Sequence, residues 1–129
     1  MNWRLVSRCL LAVFFVLAGA NHFRTPVIYL GMMPPWLPRP LILVYVSGAA
    51  EILGGIGALF PFSRRFSGWG LIALLVAVFP ANLHVALQGH MPGFALSPAV
   101  LWTRLPVQFI LIAWVWWSTV VPQRNETLD

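Results

Sequence analysis

Four stretches of this 129-residue chain, at about 4–22, 41–60, 66–88 and 100–121, are long and almost free of charge. A helix of about 20 apolar residues crosses a hydrocarbon core about 30 Å thick. Few folds can absorb four such stretches in so short a chain. A soluble four-helix bundle keeps one polar face on every helix, and these runs are too continuous for that. Charged residues make up 9% of the chain and hydrophobic residues 60%, whereas a soluble domain carries about 25% charge. The sequence therefore predicts one all-α domain over residues 1–129, an integral membrane four-helix bundle in which residues 122–129 form a short cytoplasmic tail.

The first run imitates a secretory signal. Arg4 and Arg8 precede a Leu/Phe/Val stretch that ends in Ala18-Gly19-Ala20, an A-x-A-like cleavage site. The continuation Asn21-His22-Phe23 leads into more membrane sequence, so the run reads as an uncleaved first span. Between spans one and two, Thr25 to Pro40 holds five prolines interleaved with Ile28, Tyr29, Leu30, Met32, Met33, Trp36 and Leu37. Five prolines argue against a regular helix here. The tryptophan and tyrosine favour the headgroup level, and broken backbone is tolerated at membrane depth only against protein or a cavity. The segment is expected to be an interfacial or re-entrant loop that caps the bundle.

Every basic residue other than histidine is an arginine, and the net charge is +5. The arginines stand singly or as the one pair Arg64-Arg65, at the ends of apolar runs, without the clustered basic face that nucleic acid requires. With both termini in the cytoplasm, that side holds Arg4, Arg8, Arg64, Arg65 and Arg124, and the other holds Arg24, Arg39 and Arg104. The bias favours this orientation. Cys9 has no partner for an internal disulfide and reads as a small hydrophobe.

Chemistry is sought among residues that are expensive to keep in a bilayer. Glu51 is the one acidic residue before Glu126 and falls near the middle of span two. A charge at that depth costs about 2.5–3.5 kcal/mol on insertion scales. Gly48 and Gly55, like Ser47 and Gly54, lie two turns apart and form a stripe of small residues that admits a neighbouring helix. Glu51 is thus expected to face inward, where Asn21, His22, Asn82, His84, Arg104 and Gln108 are available as partners, and to meet Arg104, Asn82 or Gln108. Asn21, His22 and His84 fall in the same outer half of the antiparallel arrangement. Three readings of this cluster stay open: polar glue between helices, a site for a polar-headed ligand such as a quinone or for a proton, or an Arg104 that simply snorkels to the surface. His84 and His90 are poorly spaced for a metal and no third ligand is nearby in sequence, so no metal site is expected. Trp102, Trp114, Trp116 and Trp117 read as interface anchors and packing residues.

The stretches AGANHF (18–23), MMPPWLP (32–38), VYVSGAAEILGGIG (44–57), WGLIALLVAVFPAN (69–82) and RLPVQFILIAWVWW (104–117) resemble the DoxX family of small bacterial four-helix membrane proteins. The family's name comes from a subunit of a thiosulfate:quinone oxidoreductase. The resemblance implies a multi-pass protein of the bacterial inner membrane, a subunit near quinone chemistry, with redox partner subunits supplying electrons. It places Glu51, Asn82, Arg104 and Gln108 in matched segments and transfers no catalytic motif, so the chain's standing as an enzyme stays open. The expected partners are the lipid bilayer, redox subunits and a second copy of the chain. The alternative is a non-catalytic membrane scaffold, or a carrier of a small amphiphile or lipid.

Overall fold

The computed structural model describes residues 2–91 and 96–122, and its regular structure is helical. The elements are α1 (Trp3–Arg24), α2 (Pro26–Met32), α3 (Pro40–Gly57), α4 (Arg64–Gln88) and α5 (Pro98–Val115), with α5 continued by a π-helical turn, Trp116–Val120. Four of these units, counting α5 with its π turn, are long and apolar enough to cross a membrane. Large apolar side chains also cover the outside: Phe62 is 89% and Phe66 85% exposed. A water-soluble monomer rarely presents so much apolar surface. This is the architecture of a multi-pass membrane protein.

The helix ends follow local chemistry. The Asn2 side chain accepts from the backbone N–H groups of Arg4 and Leu5, both at 3.1 Å, and so caps α1. Prolines 26, 40 and 98 stand at the starts of α2, α3 and α5, where the missing N–H would have no helical partner anyway. Gly89 ends α4 at φ 77°, a left-handed conformation that glycine adopts without steric cost.

Two expectations need correction. The segment from Thr25 to Pro40 is not devoid of regular helix: Pro26–Met32 forms α2, because Pro26 occupies a first-turn position and no further proline follows until Pro34. Span two stops at Gly57 rather than Phe60. There a tight turn takes over, in which Ser63 Oγ donates to the Gly57 carbonyl at 2.7 Å and Arg64 Nε to that of Ala58 at 3.2 Å. Most of the expected tail, residues 123–129, and residues 92–95 of the expected third loop lie outside the described residues.

The long helices pack antiparallel to their chain neighbours. Gly19 lies against Gly48 and Ala12 against Gly55, seven residues apart on each helix. The backbones of α1 and α3 therefore approach closely at two levels, two turns apart. Between α4 and α5 the same sense is seen in the Asn82–Gln108 bond and in Thr119, which fills the space beside Gly68. The apolar interior divides in two. Leu11, Phe15, Ala58, Leu71, Leu75 and Val115 form a cluster toward the arginine-rich end. Met32, Val85, Ala86 and Leu101 form another beneath α2. α2 touches α1, α3 and α4.

At the arginine-rich end the π turn is held from α1. Arg8, 3% exposed, donates from Nε to the Ser118 carbonyl at 2.7 Å, and Arg4 donates to the carbonyls of Trp117 and Val121. Ser7 Oγ lies 2.6 Å from Ser118 Oγ and accepts from Trp114 Nε1 at 2.8 Å. A helix C-terminus leaves carbonyls unsatisfied, and guanidinium groups suit both their hydrogen-bonding need and their partial negative charge.

Candidate functional site

A second group of polar residues gathers in the half of the bundle that α2 covers. Five elements supply them: His22 from α1, Tyr29 from α2, Ser47 and Glu51 from α3, Asn82 from α4 and Arg104 from α5. Together with Ala18, Met32, Met33, Val44, Val78 and Ala81 they line a cavity of about 220 Å³. Ser47 and Glu51 are four residues apart on one face of α3, so both turn toward it.

Glycine contact positions the α1–α3 side of the site. A side chain at Gly19 would strike the Gly48 carbonyl, and one at Gly48 would strike the Cβ of His22. Because neither exists, α1 comes near enough for His22 Nδ1 to lie 3.0 Å from the Val44 carbonyl oxygen. His22 Nε2 then lies 3.2 Å from Glu51 Oε2. The pair is close but not aligned as a hydrogen bond. Glu51 Oε2 is buried and has no hydrogen-bond partner among the described residues. Tyr29 covers the histidine, the two ring centroids being 4.0 Å apart, and its hydroxyl accepts from Asn21 Nδ2 at 2.8 Å.

Across the cavity, Arg104 Nη1 donates to Met91 Sδ at 3.3 Å. A thioether is a weak acceptor, so a guanidinium able to make five hydrogen bonds has donors to spare. Asn82 is turned by Gln108: its Nδ2 donates to Gln108 Oε1 at 2.7 Å, and Gln108 Nε2 donates onward to the Leu75 carbonyl. This strut sits where Pro80 interrupts α4. Proline has no N–H for the carbonyl of Val76 one turn earlier and crowds the ladder there; Gln108 binds the neighbouring carbonyl, that of Leu75. Gln108 is 3% exposed and lies outside the cavity wall.

Of the seven residues singled out from sequence, His22, Glu51, Asn82 and Arg104 line the cavity. Gln108 and Asn21 reach it through Asn82 and Tyr29. His84 is half-buried on α4 and outside the lining. The expected contact of Glu51 with Arg104, Asn82 or Gln108 is corrected: its partner is His22. The reason is packing. The glycine crossing delivers α1 to α3 directly, while the cavity separates α3 from Arg104. Tyr29, Met32 and Met33 were missed as lining residues because five prolines hid a helical turn, yet the gap from Pro26 to Pro34 signals one. Ser47 is legible from its four-residue spacing to Glu51. Among the described residues no three His, Cys, Asp or Glu side chains gather closely enough to hold a metal ion.

A family model described as a domain of unknown function, DUF8561, matches residues 11–119. That covers 119 − 11 + 1 = 109 of the 129 residues. The chain belongs to the DUF8561 family. No curated protein and no solved structure matches it significantly. The DUF8561 match runs from inside α1 to the π turn, so every residue lining the cavity falls within it.

Proposed function

We propose that this DUF8561 protein is a DoxX-like subunit of a quinone-linked oxidoreductase system in the bacterial cytoplasmic membrane, and that its cavity takes the head group of a quinone or relays its protons. The observation that carries the reading is a single cavity of about 220 Å³ lined both by Glu51, with an unsatisfied buried oxygen, and by Arg104, with unused donors. A buried polar atom without a partner costs about 1–3 kcal/mol, and a ligand oxygen or hydroxyl relieves it. An apolar cavity of about 150 Å³ holds a benzene molecule, so the volume suits one substituted six-membered ring. His22, Glu51, Asn82 and Arg104 fit such a head, which offers oxygen atoms to donors on one side and to a proton-exchanging pair on the other. A bound quinone would supply the electron-accepting chemistry, and partner subunits would deliver the electrons. The DoxX resemblance of residues 18–23, 32–38, 44–57, 69–82 and 104–117 supports the same assignment. Arg4, Arg8, Arg64 and Arg65 favour termini on the cytoplasmic side.

The test is to purify the protein in mild detergent, identify retained small molecules by mass spectrometry, and titrate it with the short-tailed ubiquinone-1. Retained quinone and saturable binding, lost in Arg104→Ala, support the reading; no binding of ubiquinone-1 overturns it. One observation favours a second reading, a non-catalytic carrier of lipids or a scaffold. A groove of about 230 Å³ opens between α3 and α4 over Ala50, Gly54, Ser67 and Gly70, small residues that admit an acyl chain or another helix. Phospholipid as the retained species, with no quinone, would select it.

A further inference from the structure

The surroundings of His22 determine how many protons its pair with Glu51 holds. Nδ1 lies 3.0 Å from the Val44 carbonyl oxygen, and a carbonyl oxygen only accepts, so Nδ1 carries hydrogen. In a neutral imidazole the other nitrogen, Nε2, then presents a lone pair. Glu51 Oε2 stands 3.2 Å from it, buried. At 3.2 Å an imidazole lone pair and a buried carboxylate oxygen repel, so one proton held by either partner stabilises the pair. Two arrangements satisfy this: a carboxylic acid facing neutral imidazole, or an imidazolium facing a carboxylate. Each contains one shared proton, and each has zero net charge. The titratable or charged side chains that join the pair at the cavity are Tyr29, tilted over the ring from α2, and Arg104 from α5; α4 contributes only the neutral Asn82.

We infer that His22 and Glu51 form a dyad sharing a single proton, with Nδ1–H fixed on the Val44 carbonyl, and that the cavity exchanges this proton with the oxygen-bearing head of a ligand held opposite by Arg104 and Asn82. The dyad is argued from the Nδ1 contact and the nearness of Nε2 to the carboxyl; its exchange with a ligand rests on the proposed binding site. The 3.2 Å contact is not aligned as a hydrogen bond, so the proton is not locked within the pair and a ligand oxygen can compete for it. When the ligand oxygen takes the proton, a carboxylate and a neutral imidazole remain, a net charge of −1 facing the Arg104 guanidinium. When a ligand hydroxyl gives one up, the dyad becomes a carboxylic acid beside an imidazolium.

Nitrogen-15 NMR of histidine-labelled protein in lipid nanodiscs, with infrared spectroscopy of the carboxyl stretch, tests the dyad without any ligand. The expected result is a His22 Nδ1 that is protonated and bonded to a carbonyl, and an Nε2 whose signal responds to Glu51→Gln. In that variant the Nδ1–H form persists and the infrared signal of the shared proton disappears. A neutral His22 protonated on Nε2, or spectra of His22 unchanged by Glu51→Gln, overturns the dyad. Addition of ubiquinone-1 tests the exchange: its binding should shift both the Nε2 and the carboxyl signals. Binding that leaves both unmoved refutes exchange while the site stands. Absence of binding refutes the quinone reading and with it the exchange, while the unliganded spectra still decide the dyad.

Discussion

Replacing Gly19 by alanine puts a methyl group where α1 meets α3. A Cβ built there lies 2.5 Å from the Gly48 carbonyl oxygen, 2.8 Å from Ile52 Cγ1 and 3.1 Å from Glu51 Cβ. Ile52 can rotate away, but the carbonyl is part of a helix and cannot. Carbon–oxygen contacts settle at about 3.3 Å or more, so the helices must part locally by about 3.3 − 2.5 = 0.8 Å. Overpacking of this kind costs about 1–3 kcal/mol. The separation also stretches the His22–Val44 hydrogen bond, now 3.0 Å, beyond useful range, at about 1 kcal/mol. Alanine regains up to about 1 kcal/mol of helix propensity. The net expectation is a loss of about 1–3 kcal/mol, read as a lower denaturation midpoint in detergent or nanodiscs. Gly70→Ala is the control, because nothing lies within 4 Å of its Cβ position; there propensity acts alone, and stability should hold or rise slightly. If Gly19→Ala is as stable as Gly70→Ala, the glycine crossing does not position α1, and the account of how His22 reaches Glu51 fails with it.

Gln108→Leu should lower stability by about 1–3 kcal/mol in the same assay, since it removes a buried bridge from α5 to the Leu75 carbonyl and leaves the Asn82 amide without that partner; an unchanged midpoint would show that the strut contributes nothing. Arg104→Ala should weaken ubiquinone-1 binding at least tenfold, about 1.4 kcal/mol, with little change in stability, because the hydrogen bond removed ends on a thioether; equal affinity refutes its role. Arg39 adopts φ 49° before Pro40, and a left-handed residue with a side chain costs about 1–2 kcal/mol. Arg39→Gly should therefore raise the midpoint modestly, and a fall would locate a missing contact. For topology, cysteines at Ser63 and His90 in a Cys9→Ser background should label from opposite sides, Ser63 from the cytoplasm. His90 is exposed and avoids the left-handed backbone of Gly89.

Much of the architecture was legible in the residues. Run length and the scarcity of charge specify four crossing helices, because the cost of an unpaired backbone or charge in hydrocarbon leaves no other arrangement for such stretches. The inward turn of Glu51 was legible for the same reason, as was the close approach permitted by Gly48 and Gly55. The partner of Glu51 was not. Arg104, Asn82 and His22 all fall in the same half of the bundle, and sequence spacing offers each of them to Glu51 alike. Only the packing separates them. Gly19 against Gly48 brings α1 into direct contact with α3 and gives Glu51 to His22, while Gln108 anchors on the backbone beside Pro80 and holds Asn82 on the far wall. The cavity itself is a tertiary property, the space left where α2 spans helices that do not close beneath it. Composition determines that the chain needs a membrane and polarity determines which residues must hide together; which of them touch is decided by which helix the glycines of α3 admit, a tertiary choice that the local pattern does not encode.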